Sequence, residues 1–104
     1  MNVKHHWRHS LYKQTIEEKI RQRRSQMLVH SYIYYEMDDN IVDDHTWQAW
    51  ADELAQLQDE NPDKCKIGFF DEHFEGWNGS SGAFLPLRDP WVINKATYIM
   101  SLQK

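Results

Sequence analysis

The sequence predicts a single, mainly α-helical domain over residues 1–104. A long helix, an acidic turn and a second helix form a hairpin, followed by a glycine-rich loop and a C-terminal helix packed across it. Three observations carry this. Leu11 to Met37 holds no Gly or Pro and is dense in Glu, Lys, Arg and Gln, which lose little rotamer freedom in a helix. Trp47, Trp50, Ala51, Leu54 and Leu57 recur at helical spacing and mark one apolar face. Asp89-Pro90 sets an N-cap acid before a proline whose fixed φ suits a first helical turn.

The hairpin covers residues 11–60. Its first helix places Ile16, Ile20, Met27, Ser31 and Tyr34 close to one stripe, and Glu17 and Arg21 form an i,i+4 pair of favourable polarity. Asp38-Asp39-Asn40 ends it, and Ile41-Val42 is a short apolar tether. Asp43-Asp44 then opens a second helix, since a carboxylate satisfies orphan N–H groups at the positive end of the dipole. Asn61-Pro62 stops that helix at Glu60, because Asn resists the helical region before Pro. Residues 61–89 are a loop-rich connection, irregular or briefly helical, with three of the four glycines between Gly76 and Gly82. The last helix, residues 90–102, buries Val92, Ala96 and Ile99 with Trp91 nearby.

Composition narrows the function classes. One Cys excludes a disulfide scaffold, and Cys65 is expected to be a reduced, structural thiol. No run of 18 apolar residues exists to span a membrane, and no apolar stretch follows Met1-Asn2-Val3-Lys4, so a cytoplasmic location is expected. The net charge of −4 is split unevenly: residues 1–30 carry seven of the 12 basic residues but two of the 16 acidic ones. The basic helix either seeks phosphates or complements the acidic body.

Motifs for catalysis are missing. His5, His6 and His9 lack a partnering Cys or carboxylate and read as incidental; His45 and His73 stand alone. Asp38, Asp39, Asp43 and Asp44 lack the alternation and central Gly of a calcium loop. Helix capping suffices for Asp43, while Asp44 can also face a ligand. The Gly76–Gly82 loop matches neither phosphate-binding glycine pattern, and no serine sits in a nucleophile-elbow setting. The chain is expected not to be an enzyme.

One segment, LVHSYIYYEMDDNIVDDHTWQAWADELAQLQDENPD from Leu28 to Asp63, resembles the N-terminal Ia domain of bacterial NAD-dependent DNA ligases. It has that family's order: a helix ending in a Tyr-rich stretch, an acidic turn, and an Asp-opened helix closing on Asn61-Pro62-Asp63. The resemblance implies a hairpin that folds over the nicotinamide mononucleotide half of NAD. By position, Tyr34 and Asp44 match family contact residues. Tyr35 stands where the ligases have His, Trp47 replaces a Tyr, and Gln48 replaces a second Asp. The family's K-x-D-G nucleophile motif does not occur in this sequence, so the implied protein is a stand-alone, non-catalytic relative of the kind phages and prophages carry in a bacterial host.

The leading expectation is therefore a module binding NAD, nicotinamide mononucleotide or a related nucleotide through Tyr34, Tyr35, Asp44, Trp47 and Gln48. Tyr34 and Trp47 would stack on a flat base and Asp44 would accept from a ribose hydroxyl or carboxamide. An alternative is a phage-encoded acidic interaction module that presents its carboxylates to a basic host protein and inhibits a nucleic-acid or defence enzyme. A further one is a DNA-binding accessory making weak phosphate contacts through Arg21, Arg23 and Arg24.

Overall fold

The computed structural model describes residues 13–103, and the His5, His6 and His9 cluster lies outside them. Among the described residues three helices form: α1 (Ile16–Glu36), α2 (Asp44–Glu60) and α3 (Pro90–Ser101). The connection between α2 and α3 holds only the short 3-10 turns Pro62–Lys64 and Glu72–Phe74. No described helix is long and apolar enough to cross a membrane.

Helix α1 starts later than its run of helix formers suggests. Glu18 N–H donates to Thr15 Oγ1 at 3.1 Å and Thr15 N–H donates to Glu18 Oε1 at 2.8 Å, a reciprocal capping box that fixes the first turn at Ile16. Residues 13–15 are not helical, and Leu11 lies outside the described residues. At the other end Asp38 takes φ of 54°, a left-handed conformation that Asp tolerates, and turns the chain toward α2. Asp43 caps α2 by accepting from Thr46 N–H at 2.7 Å, and Asp89 caps α3 by accepting from Trp91 N–H at 2.9 Å.

Both α2 and α3 pack on α1. The third helix therefore lies against the first arm of the hairpin, which becomes the shared partner. Ile20, Met27 and Leu28 of α1 join Ala51 and Leu54 of α2 in the main core, which Phe69, Phe74, Leu85, Leu87 and Val92 complete. A smaller cluster holds Val29 and Ile33 against Ala96. This double coverage corrects the single-stripe expectation: Ile33 is buried, whereas Tyr34 is 54% exposed.

The stripe also contains a charge. Arg24 is 1% exposed and donates from Nε to Gln58 at 2.8 Å, from Nη1 to Phe69 O at 2.8 Å and Asp71 Oδ1 at 2.7 Å, and from Nη2 to Cys65 O at 2.9 Å. It ties the irregular connection to both hairpin arms. Asp71 also accepts from the N–H groups of Ile67, Gly68 and Phe69. Desolvation pushes the Asp71 carboxyl up, but the hydrogen bonds from Gly68, Arg24, Ile67 and Phe69 outweigh it and hold the pKa at about 2.

Of the expected phosphate contacts Arg21, Arg23 and Arg24, this packing removes Arg24. Arg24 has no surface to offer. Arg23 Nε lies 3.0 Å from Glu53, Lys19 lies 3.4 Å from the same carboxylate, and the Arg21 guanidinium sits 4.0 Å above the Phe69 ring. Arg23 and Lys19 thus share Glu53, while Arg21 covers Phe69 and stays exposed on its other side.

Candidate functional site

All five candidate residues line one cleft of about 330 Å³, between the upper turns of α1 and the start of α2. Helix α1 supplies His30, Ser31, Tyr34 and Tyr35, two i,i+4 pairs on one face. The second wall begins in the turn at Asn40, Ile41 and Val42 and continues through Asp44, Trp47 and Gln48 in the first turns of α2. Because Asp43 does the capping, Asp44 is left to face the cleft. Its carboxylate has no ion-pair partner among the described residues.

The aromatic side chains differ in freedom. Tyr34 and Tyr35 are about half exposed and meet edge to face, ring centroids 4.9 Å apart. Trp47 is half-buried and pinned: its Nε1 donates to Ser31 Oγ at 3.2 Å and its ring meets Trp77 edge-on at 6.3 Å. Gln48 Nε2 donates to Gly79 O at 3.1 Å and to Asp52 at 2.9 Å. Its amide hydrogens thus hold a loop in place, leaving the side-chain oxygen as its available acceptor.

That loop forms a third wall that sequence reasoning missed, made by Ser80, Ser81 and Gly82. Trp77 Nε1 donates to Ser81 O at 3.0 Å, and Ser80 N–H donates to Asn78 Oδ1 at 3.0 Å. Gly82 lies directly on α1. A Cβ there would overlap Ser31 Oγ and come within 2.9 Å of Ser31 Cβ and 3.3 Å of Trp47 Cζ2. Only glycine lets the loop approach this closely.

His30 was also missed, although its position one turn before Tyr34 puts it on the same face. Its ring lies 5.4 Å from that of Trp50, and its Nδ1 is buried without a hydrogen-bond partner. Burial pushes the His30 pKa below 6.5, favouring the neutral ring. Among the described residues no Lys or Arg lines the cleft. Chemically it offers flat aromatic surface, one carboxylate and several hydroxyl and amide groups, and its volume suits a single ring with its sugar. No family model, curated protein or solved structure matches this chain, so the reading of the cleft rests on its own geometry.

Proposed function

We propose that the cleft binds the nicotinamide mononucleotide half of NAD, or a related nucleotide, and that the protein acts as a non-catalytic binding module built on a ligase-Ia-like hairpin. The observation that supports this reading is the convergence of Tyr34, Asp44 and Trp47, from two separate helices, on one open cleft. The aromatic pair on one side and the indole on the other suit a planar ring, while Asp44 accepts from sugar hydroxyls or a carboxamide. The volume accommodates one half of a dinucleotide, so the other half would lie outside. Arg24 is buried and Arg23 and Lys19 pair with Glu53, which weakens support for a phosphate-binding role on that helix, although Arg21 stays exposed.

Calorimetric titration with nicotinamide mononucleotide and NAD tests the proposal. Saturable heat is expected, and it should vanish in Tyr34→Ala and Asp44→Ala while far-UV circular dichroism stays unchanged. Absence of heat at millimolar concentrations of both compounds would overturn it.

A further inference from the structure

We propose that the cleft discriminates by charge: it takes a flat organic cation, and therefore engages a nicotinamide ligand through its positively charged pyridinium ring, with any phosphate left outside. This rests on the nucleotide reading above and specifies which end and which redox form of the ligand is recognised.

Three aromatic side chains, Tyr34, Tyr35 and Trp47, line the space, and a cation close to such rings is drawn to their electron-rich faces. Among the described residues Asp44 is the one acidic side chain of the lining, and no Lys or Arg joins it there. His30 does not supply the missing positive charge at neutral pH, because its burial favours the neutral ring. A phosphate would be repelled by Asp44, with no cationic side chain among the described lining residues to offset it. In the lining loop the Ser80 N–H is already engaged on Asn78. Each of these features disfavours an anion, and the aromatic rings with Asp44 favour a cation.

The test compares matched ligands on the intact protein by calorimetry at low salt. N-methylnicotinamide, a pyridinium, is set against neutral nicotinamide, and oxidised nicotinamide riboside against its neutral reduced form. Each cation should bind about tenfold more tightly than its neutral partner, the scale of a cation–aromatic contact assisted by one carboxylate. Adding the phosphate, in nicotinamide mononucleotide, should bring no gain over the riboside. Asp44→Asn should weaken both ribosides but shrink the oxidised-to-reduced preference to about twofold. Equal affinity for oxidised and reduced riboside, or a mononucleotide tenfold tighter than the riboside, would overturn charge selection and leave the nucleotide reading standing. If neither riboside nor mononucleotide binds but N-methylnicotinamide still exceeds nicotinamide, the nucleotide reading fails and charge selection survives. If none of these ligands binds, both fall.

Discussion

Arg24 donates from all three guanidinium nitrogens, and its partners span Gln58 on α2 and Cys65, Phe69 and Asp71 in the connection. Removing a buried charge while its partners stay behind is costly, since the orphaned groups retain their desolvation penalty. Arg24→Ala should therefore destabilise the fold by about 3–5 kcal/mol, read as a lower urea midpoint. Arg24→Lys should recover little of this, because one ammonium cannot reproduce the guanidinium fork. An unfolding midpoint within error of the wild type would show that the network is incidental. Sequence inspection had no access to this residue's role. It reads as one more helix-forming cation, and its partners lie 34 to 47 positions away along the chain. Asp43 and Asp89 were legible because capping is local: the acid and the N–H it serves are two or three residues apart.

Among elements, α2 and α3 were readable because their apolar residues keep helical spacing and flanking Asp and Pro residues punctuate them. Helix α1 was readable as a helix but not in its packing. Covered by α2 on one side and α3 on another, it buries residues around more of its circumference than a single stripe. The Ser80–Gly82 wall was opaque for a different reason. Loop residues have no period, and Gly82's place is dictated by what it touches on α1. The two walls given by the hairpin were thus visible in the sequence and the third was not. Gly82→Ala tests the close approach. The methyl must displace the loop or Ser31, so a loss of about 1–3 kcal/mol in stability is expected, together with weaker ligand binding. Ser31→Gly in the same chain should restore part of both, because it removes the atoms that the methyl meets. A fully stable Gly82→Ala variant would mean that the loop is free to retreat.

For the molecule as a whole, stability should fall with pH in an upper step set by His30 and a lower one in which Asp43 and Glu53, also held below their ordinary values, join Asp71. His30 has a folded pKa below its ordinary 6.5, so the unfolded chain binds its proton first. Stability is complete above pH 6.5 and declines as pH falls through 6.5 toward the lower folded value. Asp71, held at about 2 against 3.8 unfolded, contributes above pH 3.8 and loses that contribution as pH falls through about 2. Its side chain is 31% exposed, so solvent screening limits its share of the lower step to the order of 1–2 kcal/mol. Thermal midpoints measured from pH 8 to pH 2 should show both declines. His30→Gln should erase the upper one alone. An upper step that persists in His30→Gln would assign it to another group.

Trp47 stands in the cleft wall with its ring edge-on to Trp77, and Trp50 lies against His30 in the same neighbourhood. Three of the chain's five indoles are thereby clustered at or just behind the opening. An excited indole gives up an electron readily to an adjacent pyridinium, so an occupied cleft should glow less brightly than an empty one. The protein would carry its own optical gauge of occupancy, with no dye attached.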